Sequence, residues 1–416
     1  MISGQVLEGQ TGRVISGITV RAFAREAQDG DLSLSPAGRE GRTDAKGRYE
    51  ISGLAPGEYL VAAEGDVGVQ IGPIGKRPAA GRQIRGMYYQ DARVPYLAKT
   101  VVVWGGADVV GIDFRLTPEE TFYARGRVEG RAEAVTVYVG NEPKWRDDLF
   151  RGKAVRLRSG PFEIGPLMPG RYWLTAQSGE RGQTGSRLGF LRFEINGEDT
   201  ELAGVVMAPS FPLTVRIRAD GKGGLPMRGG PSMEVALRPL MADPLAKTSG
   251  LLKAVLASAG RGVVERVTAE PYQVSVFGLP RDFVVRTMAC DGGVLADPIV
   301  DFSRTSCGHL DVVVGPVNDS LTFRATEFGL PVNGAMVMMA PDWMVRGQAG
   351  YSPMQWTVRA DGVAEGRGIV PGLYRAIALP PGSLWGRAVH MIYAGQGEKV
   401  EVGDGSARTV VLEVKR

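Results

Sequence analysis

Polar and apolar positions alternate most clearly between Thr43 and Ala63. Arg48, Glu50 and Ser52 interleave with Tyr49, Ile51 and Leu54, roughly the two-residue period of a half-buried strand. Asp44-Ala45-Lys46-Gly47 precedes that run as a four-residue turn, with glycine where a positive φ is needed. Ala55-Pro56-Gly57-Glu58 follows as a second turn, Pro56 pre-setting φ and Gly57 supplying the left-handed position. Tyr59, Val61 and Ala63 then face one way, and Leu60 and Ala62 the other. The stretch predicts a β-hairpin with its register fixed at both ends.

The same plan recurs. Ser159–Tyr172 repeats it, and Tyr172, Leu174 and Ala176 stand where Tyr59, Val61 and Ala63 do. Pro371-Gly372-Leu373-Tyr374 repeats the second turn again. A more divergent copy runs through Gly262–Val267, Glu270-Pro271-Tyr272 and Gln273–Phe277. It lacks the glycine after proline, so its turn must differ. Opening strands are expected at Ile2–Val6, Phe122–Val128, Leu213–Arg218 and Leu321–Ala325. Closing strands are expected at Val109–Leu116, Asp199–Ala208, His309–Val314 and Thr409–Val414. Recurrence at about 100 residues predicts a tandem array of about four antiparallel β-sandwiches. The expected boundaries are 1–118, 119–208, 209–315 and 316–416. Each closing strand runs almost directly into the next opening strand, which favours a semi-rigid rod. Arg25–Arg42 reads as a polar loop. Gly65–Gln83 reads as a long Gly/Pro/basic insertion, of the kind that is functional or mobile.

Composition agrees with an all-β chain. Among 416 residues there are 59 Gly and 26 Pro, yet 44% of positions are hydrophobic, which is many short strands rather than disorder. The best helical candidate, Ala246–Ala259, is interrupted by Gly250. The 49 basic and 45 acidic residues leave a net charge of +4, and Arg216 and Arg218 are outward members of an alternation. Such a mixed, solvated surface points away from nucleic acid. No apolar run reaches the about 18–20 residues that span a bilayer, so no membrane span is expected. No secretory signal is read before the first strand, expected to open at Ile2, so a missed upstream start or a fragment of a longer protein is expected.

The run Thr43–Tyr59 resembles, position by position, the "T-D-x-x-G-x-F/Y-x-hydrophobic-x-G-L-x-P-G-x-Y" pattern of the carboxypeptidase regulatory-like family. Ile2–Val6 with Gly12 and Gly17–Ala22 resembles that family's opening hairpin. Met87–Asp91, "GIDFRL" at 111–116 and Gly329–Val337 are similar to its other segments. The resemblance implies prealbumin-like (Ig-like) sandwiches, an accessory module without a peptidase domain, and an extracellular or cell-envelope location. It implies a structural spacer or an adhesion and binding module, with a glycan or another envelope protein as partner. The module serves many unrelated proteins, so the fold leaves the function open.

Candidate chemistry is sparse, and a non-enzymatic chain without cofactor is expected. Hydrolysis by a triad needs a histidine beside the nucleophile. Only His309 and His390 exist, and no G-x-S-x-G elbow accompanies them. No H-E-x-x-H motif supports zinc chemistry, and no metal site is expected. Asp29-Gly30-Asp31 lacks the remaining ligands of a calcium loop. Gly72–Gly81 lacks the G-K-[ST] end of a phosphate cradle. A Lys–Asn isopeptide cross-link, found in some relatives of this sandwich, is rejected because the opening strands carry no lysine. Cys290 and Cys307 fall in one repeat, either as a disulfide or as two independent buried thiols. Aromatic faces in turn-rich segments could stack on sugar rings. Tyr88, Tyr89, Trp145, Trp343 and Trp356 are the candidates for such a ligand platform.

Overall fold

The computed structural model describes residues 1–28, 31–65, 68–75, 81–93, 95, 98–130, 134–142, 153–179, 183–220, 233–240, 251–257, 260–280, 283–316, 320–342, 353–383, 391–392, 395–403 and 408–415. Strands dominate them, and among the described residues no helix is long and apolar enough to cross a membrane. The chain divides into two compact units. One holds Met1–Glu129, Val137–Leu174 and Arg192–Gly204; the other holds Gly130–Thr136, Thr175–Leu191 and Val205–Arg416.

The first unit opens with a two-sheet sandwich. β1 (Ile2–Glu8) lies between β4 (Arg48–Ile51) and β10 (Phe114–Leu116) in one sheet. β2 (Thr19–Gln28), β3 (Asp31–Arg42), β5 (Gly57–Ala63), β8 (Met87–Tyr88) and β9 (Val101–Val103) make the other. Both sheets feed one core that includes Ile2, Val6, Tyr49, Ile51, Tyr59, Val61 and Phe114. The outer face of β5 is covered too, by Tyr88 and Ala92 over Leu60 and Ala62.

Three sequence expectations change here. Thr43–Ala63 is not a hairpin. β4 pairs antiparallel with β1, whereas β5 pairs with β2, so the turn between them arches from one sheet to the other. Gly47 does take the left-handed φ of 72°, but in the second turn that role falls to Gly53, and Gly57 is simply the first residue of β5. Arg25–Arg42 is not a loop, because β3 pairs with β2 over most of its length.

The insertion Gly65–Gln83 also carries strands. β6 (Gln70–Gly72) pairs antiparallel with β15 (Gly160–Leu167), Ile71 opposite Ile164. β7 (Arg82–Ile84) pairs with β11 (Pro118–Glu120). Thus β6 extends a sheet in which β15 is flanked by β12 (Phe122–Glu129), itself beside β18 (Thr200–Glu201). Ile71 and the neighbouring Val69 are both buried, at 7% and 4% exposure, which explains why this short segment finds a sheet. β13 (Val135–Glu142) lies between β14 (Lys153–Leu157) and β16 (Gly170–Ser178), and Tyr138 of β13 packs on Trp173 of β16.

In the second unit, β17 (Arg187–Ile195) pairs with β20 (Ala208–Pro209), just after β19 (Val205–Val206). The next sandwich sets one sheet of β24 (Arg261–Val267), β21 (Phe211–Ala219), β29 (His309–Pro316), β26 (Phe283–Cys290) and β27 (Gly293–Val294) on a second. That second sheet is β23 (Leu252–Val255), β22 (Glu234–Pro239), β25 (Pro271–Phe277) and β28 (Ile299–Asp301). Of Ala246–Ala259, the best helical candidate in an otherwise all-β reading, the described part holds strand β23; residues 246–250 and 258–259 lie outside the described residues. Its Lys253 and Val255 face outward while Ala254 is buried, a period of two rather than 3.6.

The last sandwich pairs β31 (Leu330–Pro331), β30 (Ser320–Glu327), β34 (Val363–Arg367) and β37 (Arg408–Glu413) with β33 (Met354–Thr357), β32 (Met336–Pro341), β35 (Gly372–Leu379) and β36 (Glu398–Val402). First and last strands run side by side and parallel, as β1 with β10, β21 with β29 and β30 with β37.

Candidate functional site

The aromatic candidates do not assemble. Tyr88 is buried, with its ring 6.4 Å from that of Phe23. Tyr89 is half-buried and packs edge-on against Phe114 at 6.1 Å. Trp356 lies over Phe323 at 4.9 Å and belongs to the last sandwich's core. Trp145 and Trp343 lie outside the described residues. An aromatic ring gains more from packing against the sandwich interior than from solvent, which explains all three described positions.

The histidines are no closer to a catalytic group. His309 is 72% exposed and its Nδ1 is 3.2 Å from Asp291 Oδ1. Asp291 accepts backbone N–H bonds from Gly308 and His309, both at 2.9 Å, and these, Gly308 first, hold its carboxyl below the usual carboxylate range. His390 lies outside the described residues. Among the described residues no group of three or more His, Cys, Asp or Glu is placed to hold a metal ion.

Cys290 at the end of β26 meets Cys307 just before β29, with Cα atoms 5.6 Å apart. That separation suits a disulfide, and both residues line one core.

Other contacts tie neighbouring sheets to one another within each unit. In the first unit, Arg85 forks onto Glu119 at 3.2 and 2.9 Å and also donates to Pro169 O at 2.9 Å. Thr121 donates to Gly81 O at 2.6 Å beside the β7–β11 pair. Together with β6 on β15, this fastens the insertion onto the following sheet. In the second unit, Ile299 of β28 packs against an apolar cluster of Met338, Ala340, Ile377, Leu379 and Ile392. Arg375 is paired there with Asp342 at 2.7 Å, both largely buried.

Beside that contact runs a cleft of about 420 Å³. One wall is β25 and β26 with Leu295–Pro298; the other is Pro341, Asp342 and Val370–Tyr374. Gln273, 3% exposed, faces it, and its Oε1 accepts no hydrogen bond. Sequence reasoning missed this place because its walls come from different sheets, far apart in the chain, and carry no motif. The one available signal was a glutamine between Tyr272 and Val274 in a strand whose neighbours are core residues.

Residues 1–69 match the model of the carboxypeptidase regulatory-like domain, the family expected from Thr43–Tyr59. No curated protein matches the chain. Among solved structures it is similar to a streptococcal ancillary pilin, at 13% identity and a TM-score of 0.23, covering 71% of this chain and 99% of that one. It is also similar to the Bacillus anthracis TIE protein, at 11% identity and a TM-score of 0.19, covering 100% and 73%. GBS52, the minor pilin of Streptococcus agalactiae, aligns at 14% identity and a TM-score of 0.24, covering 49% and 95%. At this level of superposition the likenesses do not extend to function.

Proposed function

We propose that this chain, opened by a regulatory-like module, is a non-enzymatic structural protein of the bacterial envelope or exterior, a spacer or adhesion module. Its repeats are 1–118, 119–208, 209–315 and 316–416. The observation that carries this reading is the pairing of β6 with β15. A strand from the first repeat completes a sheet of the second, and Arg85 braces the same junction. A loosely tethered string of binding modules has no use for such fastening. A spacer does, because it must transmit position from one repeat to the next. Chain invested in strand pairing between repeats removes the freedom a flexible linker would keep.

Hydrogen exchange on the full chain tests the coupling. Amides of β6 and β15 should open together, and Ile71→Asp should raise exchange in both. Unchanged exchange in β15 overturns the spacer reading. Location is tested on intact cells of the source bacterium: an impermeant biotinylation reagent should label the chain's lysines. Labelling only after lysis removes the envelope assignment.

The same reading takes Cys290–Cys307 as oxidised, since an exported chain meets an oxidising compartment. No described observation favours the carbohydrate reading, because Tyr88, Tyr89 and Trp356 pack inward.

A further inference from the structure

The cleft of about 420 Å³ in the second unit is within the size range of ligand sites. Two independent features of β25 point into it. The first is Gln273, whose Oε1 is buried and accepts nothing. A buried carbonyl oxygen without a donor is costly, so this atom calls for an N–H or O–H from whatever fills the cleft. The second is backbone. Val274 donates its N–H to Pro298 O at 2.7 Å, on the side of β25 away from β22. In an antiparallel ladder alternate residues turn both backbone groups the same way. Val276 therefore aims its N–H and C=O to that side as well. β28 covers only Pro271–Gln273 there, so among the described residues no strand pairs with Val276 on that side. Val276 is among the residues lining the cleft, and it also packs against the sandwich core.

We propose that the cleft receives a short extended peptide from a partner protein. Its backbone pairs with Val276 as an added strand continuing the line of β28. One donor of the peptide reaches Gln273 Oε1. An apolar side chain of the peptide enters between Leu295 on one wall and Leu373, which is 59% exposed, on the other. An unpaired strand edge selects an extended backbone over a compact ligand, since only a backbone supplies donor and acceptor together at strand spacing. This site stands apart from the spacer reading: it uses neither β6 nor β15.

A random heptapeptide phage library panned against the full chain tests it. Selected peptides are synthesised and their binding followed by fluorescence anisotropy. Peptides alternating polar and apolar residues should emerge. Leu373→Trp, at an exposed position that tolerates bulk, should block the cleft and weaken them at least about tenfold. Gln273→Leu should also weaken them, yet raise the thermal midpoint of the free protein by removing the orphaned oxygen. Methylating alternate peptide amides should abolish binding. No enrichment, equal binding to the Leu373→Trp protein, or binding that survives amide methylation overturns the proposal.

Discussion

The hydroxyl of Tyr59 donates to the carbonyl oxygen of Ala55, four residues earlier, at 2.8 Å. Tyr172 does the same to Met168 at 2.7 Å, and Tyr374 to Val370 at 2.6 Å. Each bond ties down the arch by which the chain changes sheets, the geometry of a tyrosine corner. Tyr59→Phe, Tyr172→Phe and Tyr374→Phe should each cost about 1 kcal/mol in urea unfolding. The third arch differs, as its missing glycine requires. There Tyr272 shares its hydroxyl with Thr268 at 2.6 Å and with the fully buried Glu270 at 3.1 Å. Tyr272→Phe takes one bond from each of those buried partners, which keep the bond of Thr268 to Glu270 at 2.6 Å, and should cost about 1–3 kcal/mol. Equal losses at all four positions would contradict this account.

Tyr49 titrates abnormally on the alkaline side. Burial first, then the nearby Asp113 carboxylate and Tyr89, push its phenol well above the ordinary tyrosine range. Its hydroxyl donates to Ile112 O. The folded value lies above the unfolded one, so stability is fully present below about pH 10 and is lost as pH rises beyond it. The Tyr49→Phe protein should show a shallower decline above pH 10 in guanidinium melts. An unchanged alkaline slope would remove Tyr49 as the cause.

The acid side belongs to two turn aspartates. Asp44 is held below the usual carboxylate range by backbone N–H bonds, from Arg48 first and also from Lys46, and by the Arg48 side chain. Asp291 is lowered by Gly308 and His309. Depressed carboxyls contribute stability above their unfolded pKa and lose it as pH falls through the folded value. Asp44→Asn and Asp291→Asn should therefore flatten the stability profile below about pH 4. Profiles measured from pH 2 to 7 check this.

Cys290 and Cys307 stand 17 positions apart in the chain. Closing so short a loop restrains the unfolded chain and contributes about 3 kcal/mol in the chain-entropy picture. A Cys290→Ser, Cys307→Ser double variant should lose that amount, and reductant should destabilise the parent but not the variant. A parent indifferent to reductant would show that the bridge is not formed.

The local period was legible in the copied arch, and not in β3 or β6. Tyr59, Val61 and Ala63 turn into the core while Leu60 and Ala62 turn away, as alternation demands. Partner choice was not legible, because Arg48–Ile51 reads identically whether it pairs with the next strand or with β1. Ile71 shows the same limit: the alternation Val69-Gln70-Ile71 is too short to name a partner, and only the open side of β15 gives it meaning. The cleft was hidden for a related reason. Gln273 looked like an ordinary polar member of a strand until β35 and its preceding turn stood opposite.

Side-by-side first and last strands give each repeat a polarity. With β21 and β29 aligned, Thr214 beside His309 and Ala219 beside Val314, the chain enters at one pole and departs at the other. Tension along the polypeptide then slides the two strands past each other, straining their rungs all at once instead of unzipping them singly. A repeat wired this way resists being pulled far better than one whose ends emerge together.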